Sequence, residues 1–406
     1  MSATVPATAF ARIAQLASQR RVHEAFSWLR LHEQQIISWQ RELVAVAAPP
    51  FGEGPRAEWF AQKFCDLGLE DVALDEIGNA VAVCRGEQSG LECVVLSAHL
   101  DTVFPPDTII GPQLNGTLLS APGACDNGAG LAELLAIAAA MRHAGLQPPC
   151  DLIFIGNVGE EGEGNLRGMR YFYEHSGWRE RVRAHVVLDG AGHEVAVTQA
   201  LGSRRYLVTI KGPGGHSWTD ASRPNPVVVL SRAITRLSDL DLPSKPRTTM
   251  NVGTIEGGTS VNAIPECVTA RIDARSTDME QLIRLEVEIH RAVEDAVIDA
   301  NAERKREHSL TFTIENIGDR PAGALSEHTA VFENLRAVDR HLSIRTEIRI
   351  ASTDANIPLS LGVPALSLGA GGTGGGIHTR GEWYDARGRE LGLQRILLLL
   401  LACCTG

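Results

Sequence analysis

Apolar positions recur at helical spacing over residues 7–45, at Phe26, Leu29, Ile36, Ile37, Leu43 and Val44, which predicts helices there. Pro49 to Pro55 reads as a loop and 56–67 as a further helix. The pattern then changes to short apolar runs. Residues 79–84, 92–97 (ECVVLS), 151–157 (DLIFIGN) and 185–189 (HVVLD) predict buried strands, with an Ala- and Leu-rich helix over 131–143 between them. Strands alternating with helices predict an α/β layer architecture with a mixed sheet.

Near residue 202 the character changes again. Strands are expected at 206–211, 248–254, 268–274 and 310–315, with helices at 226–240 and 278–302. The order β-α-β-β-α-β is that of a ferredoxin-like unit. A helix over 328–340, a strand at 365–368 and a terminal helix return to the first pattern. The expected organisation is a three-layer α/β domain, residues 1–201 and 319–406, interrupted by a smaller α+β domain over 202–318. The run GAGGTGGG at 369–376 reads as a flexible loop that lets backbone pass close to a neighbour.

Composition narrows the class. The chain has 406 residues and a net charge of −11, with 38 basic and 49 acidic side chains. It carries no long basic run, which argues against a nucleic-acid partner. The longest apolar run, Ile396–Cys404, is nine residues, about half of the ~20 that span a bilayer. No secretory signal is legible at the N-terminus. Eight scattered cysteines without a C-x-x-C pair fit reduced thiols and a cytoplasmic location. Cys125 draws notice because it precedes Asp126.

The ionisable residues cluster where predicted strands end. His99 and Asp101 follow one strand, Glu160 and Glu161 another, and Asp189 a third; Asp126 precedes a helix and His378 follows the glycine run. Loops at the carboxyl ends of strands form the ligand crevice of open α/β sheets. Each residue alone has an ordinary structural use: a hydrogen-bonded histidine, an N-cap aspartate, a solvated Glu-Glu turn. Together, imidazoles and carboxylates without thiolate form a donor set suited to zinc, or to cobalt or manganese.

The segments SAHLDTVF, GACDNGAG, NVGEEGEGNLRG, VVLDG, GPGGHSW, GGTSVNAIP and GGGIHTRGEW resemble the dinuclear zinc exopeptidases and amidohydrolases, the family of peptidase T, glutamate carboxypeptidase, aminoacylase and succinyl-diaminopimelate desuccinylase. STDAN and the C-terminal motif look closest to the peptidase-T-like branch. The resemblance implies two zinc ions per subunit, bridged by Asp126, with His99 and Asp189 completing one site and Glu161 and His378 the other. Asp101 would orient His99, and Glu160 would be the general base toward a metal-bridging hydroxide. It further implies a cis peptide after Asp126 and substrate contacts from His216, Asn262 and Arg275. The inserted domain would serve as dimerisation and lid domain of a homodimer, with His216 reaching the partner's active site. The activity implied is hydrolysis of an amide bond in small peptides, of aminopeptidase or tripeptidase type. An N-acyl amino-acid deacylase or a carboxypeptidase would use the same metal centre, and a catalytically idle binding relative is the alternative from another class. No membrane partner is expected.

Overall fold

The computed structural model describes residues 8–302 and 309–405. The first residues, where the absence of a signal was read, lie outside the described ones. The chain divides into two compact units, one of residues 1–200 and 324–406 and the other of residues 201–323.

In the first unit a mixed sheet runs through Glu70–Leu74, Ala80–Cys84, Asp151–Asn157, Cys93–His99, Val182–Leu188, Ala365–Leu368 and Val195–Ala200, and Glu347–Ala351 lies parallel to the last. Side chains that alternate along a strand enter opposite faces. On Asp151–Asn157, Leu152 and Phe154 enter the core under the helices Gly128–His143 and Arg389–Cys404, while Ile153 and Ile155 face Met169 and Phe172 of Arg167–His175. Burial on both faces explains why these strands read as unbroken apolar runs. The result is three layers, as the pattern predicts. The apolar terminal helix is buried all round, and no described helix is long and apolar enough to cross a membrane. The N-terminal periodicity resolves into three helices, Ala9–Ala17, Arg20–Leu31 and Glu33–Val44, packed on the same core.

The glycine run is more ordered than a flexible loop. Thr373–Gly375 is a strand paired with Trp383–Asp385. A Cβ on Gly372, at φ +60°, would meet the Tyr384 hydroxyl at 2.5 Å, and one on Gly374 would meet Cys125 Sγ. Close backbone approach is therefore what the glycines permit.

The second unit has a four-stranded antiparallel sheet in the order Thr248–Gly257, Cys267–Ser276, Gly202–Lys211, Thr311–Arg320. With strands numbered by sequence within the unit this is 2-3-1-4, the ferredoxin-like arrangement. Cys267–Ser276 alternates buried and half-exposed positions, and the helices Pro226–Ser238 and Met279–Asn301 share a core with the sheet's inner face. Leu282, Leu285 and Ile289 of the long helix are buried, whereas Ile283 and Val287 are about half exposed, at 50% and 55%.

Candidate metal centre

Four strands of the first unit, Cys93–His99, Asp151–Asn157, Val182–Leu188 and Ala365–Leu368, run parallel through their pairings. Their carboxyl ends therefore share one edge. His99 is the last residue of its strand; Glu160 and Glu161 follow Asn157, and Asp189 follows Leu188. Asp126 directly precedes Asn127, the N-cap of Gly128–His143, whose side-chain oxygen accepts from Gly130 N–H at 3.2 Å. The neighbour does the capping, so the Asp126 carboxylate is not used for it. The Asp126–Asn127 peptide is cis, as the resemblance implies.

These loops bring all five predicted donors together. His99 Nε2 lies 3.0 Å from Asp126 Oδ1 and 4.0 Å from Asp189 Oδ1. His378 Nε2 lies 3.1 Å from Asp126 Oδ2 and 3.0 Å from Glu161 Oε1. The two oxygens of Asp126 thus face two different donor groups. Donors at ~2.0–2.1 Å from one tetrahedral zinc stand roughly 3.3 Å apart; three of these separations are a little shorter and the His99–Asp189 one is longer. His99, Glu160 and Glu161 form a third close set, with ligand atoms within 4.8 Å of one another. Glu160 and Glu161 are 6% and 7% exposed, so the pair is not a solvated turn.

Asp101 differs in detail from the expected orienting carboxylate. His99 Nδ1 is 3.0 Å from the Asp101 backbone carbonyl and 3.6 Å from its carboxylate. The carboxylate accepts instead from the backbone N–H of Glu160 at 3.0 Å and of Glu161 at 2.8 Å, tying the histidine's loop to the glutamates' loop. Second-rank contacts of this kind were not legible in the sequence. Asn127 donates through Nδ2 to Leu188 O at 2.8 Å, beside Asp189. Glu382 accepts backbone N–H bonds from the Asp126 loop. Cys125 is buried, and burial pushes its thiol up to about 12, which leaves it inert.

The electrostatics test whether a cation fits. Burial, then Glu160 and Asp126, push Glu161 up to about 8. Burial, then Asp126, push Asp189 up to about 7. The hydrogen bond to Asp126 raises His378 to about 9; burial alone would lower His99, but the Asp101 and Asp126 carboxylates beside it raise it. Crowded carboxylates that hold protons, beside imidazoles that hold theirs, are what a bound cation would relieve. The donors fit a divalent metal.

A stability prediction follows for the metal-free protein. Glu161 and Asp189 have folded values above their unfolded ones, so the folded state binds extra protons from about pH 4 to 8. His378 extends this excess upward to about pH 9, and His99 is raised in the same direction. Stability is therefore greatest on the acid side of this window and falls as pH rises through it, by on the order of a few kcal/mol. Thermal unfolding after chelation should show Tm falling between pH 5 and 9, and added zinc should abolish or reverse the fall. A Tm that rises with pH without metal would contradict this.

In the second unit, His216 and Asn262 come together. Gly215–His216 pairs with Ala263–Ile264, Ser217 N–H donates to Asn262 O at 2.9 Å, and both residues are exposed. Trp218 N–H donates to His216 Nδ1 at 3.2 Å, which assigns the ring proton of neutral His216 to Nε2. Arg275 is not part of this cluster. It pairs with Ser203, whereas the His216 turn leaves the strand that ends at Lys211, opposite Cys267. Eight residues of strand, roughly 26 Å, separate Arg275 from that end. Its Nε bonds Asp273 at 2.6 Å.

Two family models match the chain. One, a peptidase dimerisation domain, covers residues 199–301, and the other, peptidase family M28, covers 79–210. Both describe peptidases, and their matches join at the boundary between the two units. The chain is a metallopeptidase. Its fold is that of solved exopeptidases. The aminopeptidase PepT of Bacillus cereus superposes with a TM-score of 0.74 at 21% identity, over 91% of this metallopeptidase and 98% of that chain. A tripeptidase of Staphylococcus aureus gives 0.76 at 22% identity, over 92% and 99%. Among curated sequences, a probable carboxypeptidase of Arthroderma gypseum is 28% identical over 254 residues, 57% of this chain. The alignment spans about half, 51%, of that relative's length.

Proposed function

We propose that this metallopeptidase hydrolyses an amide bond in small peptides, as an aminopeptidase or tripeptidase, with two zinc ions per chain held by His99, Asp126, Glu161, Asp189 and His378. The observation that carries the reading is Asp126, whose two carboxylate oxygens face separate donor groups at 3.0 and 3.1 Å. His99 and Asp189 complete one pocket, Glu161 and His378 the other. When bound, such cations acidify a water molecule and polarise the scissile carbonyl. Glu160, next to a ligand but assigned no cation, takes the proton of the attacking water on its carboxylate and returns it to the leaving nitrogen. Asp101 holds the Glu160 and Glu161 amides and so aims both side chains. Cobalt or manganese would suit the same donors.

The exopeptidase likeness of the fold supports a short substrate with a free amino group. The carboxypeptidase relative supports the second reading, release of a C-terminal residue, and an N-acyl amino-acid deacylase belongs to the same chemistry. Hydrolysis of free tripeptides, N-acetylated tripeptides, C-terminally amidated tripeptides and N-acyl amino acids separates them. Cleavage of the free and amidated peptides alone supports the first reading; cleavage of N-acetylated substrates alone overturns it. A complete set of donors, with Glu160 beside them, speaks against an idle relative. Reduced cysteines support a cytoplasmic location.

The inserted domain, taken as 202–318, is assigned dimerisation of two identical chains and substrate contacts from His216, Asn262 and Arg275. Half-exposed Ile283 and Val287, one helical turn apart on the helix whose Leu282 and Leu285 share a cluster with Met250 of the edge strand Thr248–Gly257, support the dimer. A protein with Ile283→Asp and Val287→Asp should sediment as a monomer while keeping its helical circular dichroism. An unchanged dimer would move the interface elsewhere.

A further inference from the structure

Glu382 is 1% exposed and has no place among the proposed metal donors. Its Oε2 accepts from Gly123 N–H at 2.9 Å, and its Oε1 accepts from Cys125 N–H at 2.8 Å and Asp126 N–H at 2.7 Å. Its backbone carbonyl also accepts from Ala121 N–H at 3.0 Å. The loop leading into Asp126 is thus bound by one side chain at three of its amides. A second anchor comes from the N-terminal helices. Buried Gln40, on Glu33–Val44, donates through Nε2 to Ala124 O at 2.7 Å, and its own oxygen accepts from buried Arg389.

The placement of Glu382 gives these bonds a consequence. It lies four residues after His378 on a turn closed by Thr379 N–H to Gly376 O at 3.0 Å and Glu382 N–H to Thr379 O at 3.2 Å. One end of this turn carries His378 to 3.1 Å from Asp126 Oδ2, and the other grips the backbone of Asp126 itself. The turn therefore ties together, through backbone, the two loops whose side chains face each other. Only a carboxylate suits the task, because two acceptor oxygens meet three N–H groups with no donor opposing them. The backbone is held from behind, which leaves both Asp126 oxygens to face the pocket.

We infer that Glu382 is a positioning residue that fixes the spacing of Asp126 and His378 and thereby sets the affinity of the Asp126–Glu161–His378 group for a divalent cation, with Gln40 as a weaker second anchor of the same loop. This rests on the metal reading of those three side chains. Glu382 touches neither substrate nor cation.

The test is a cobalt(II) titration of metal-free protein, read by the visible absorption of the bound ion, at a temperature where circular dichroism shows every variant folded. Glu382→Gln presents an NH₂ group where an acceptor is needed. Its cobalt affinity should fall about 10- to 100-fold, the range expected for partners that orient ligands, with a changed absorption band. Asp339→Asn, which removes the charge of a buried pair with Arg395 outside these loops, serves as the stability control. It should lower Tm and leave affinity and spectrum unchanged. If Glu382→Gln binds cobalt with wild-type affinity and spectrum, Glu382 is merely structural and the inference is overturned. Should Glu382→Gln fail to fold, Gln40→Met probes the same loop from its other side. A loss of several-fold in affinity supports the inference, and an unchanged affinity overturns it. A wild-type chain that binds no cobalt refutes the metal reading itself, and the inference falls with it.

Discussion

Replacing Glu160 by Gln lowers kcat on a cleaved tripeptide by about 10²–10⁴-fold, the usual contribution of a general base, while both metals stay bound. Gln keeps the size and the backbone N–H bond to Asp101 Oδ1, so the loop is undisturbed, but it cannot take a proton. The prediction is sharp because the geometry offers a competing role. Glu160 approaches His99 and Glu161 closely enough to complete a cation site of its own. Metal analysis of the variant decides between the two. Full metal content with lost activity makes Glu160 the base, whereas metal content falling in step with activity makes it a ligand.

His216→Ala should cost about 10²–10³-fold in kcat, the price of one lost oxyanion donor, yet that loss should be repairable by mixing. The Nε2–H of His216 points away from the Trp218 amide that fixes its tautomer, and both His216 and Asn262 are exposed on their own unit. They are therefore free to serve another chain. A His216→Ala subunit keeps Glu160, and a Glu160→Gln subunit keeps His216. In a mixed two-fold dimer one active site carries both defects and the other neither, so random exchange between equal amounts restores roughly a quarter of the wild-type sites. Exchange demonstrated by mass spectrometry with no return of activity refutes action in trans.

What was legible in the sequence followed burial. Strands buried on both faces, such as Asp151–Asn157 and Ala365–Leu368, read as apolar runs and sit where the pattern put them. Edge strands did not. Glu70–Leu74 and Glu347–Ala351 are mostly exposed, and each offers only two alternating apolar positions, Val72 and Leu74 in the first and Ile348 and Ile350 in the second, too short a pattern to stand out. The small sheet of Gln113–Asn115, Leu118–Ser120, Trp383–Asp385 and Thr373–Gly375 joins three-residue strands from distant parts of the chain. No local pattern specifies such pairings. Three of the five donors, His99, Glu161 and Asp189, were visible at strand ends, and Asp126 and His378 in the motifs before a helix and after the glycine run. The residues that hold those donors were harder, since one backbone amide looks like any other in a sequence. Gln40 alone left a trace, a polar residue on the stripe of Ile36, Ile37, Leu43 and Val44. Glu382 stood inside a quoted motif, and only the fold shows what its carboxylate binds.

The most direct test of a two-metal hydrolase is tripeptide hydrolysis followed while zinc is titrated into the metal-free protein. The account predicts no turnover without metal and full turnover as bound zinc approaches two per chain. Turnover by the metal-free protein, or a chain that takes up no zinc at all, would contradict it.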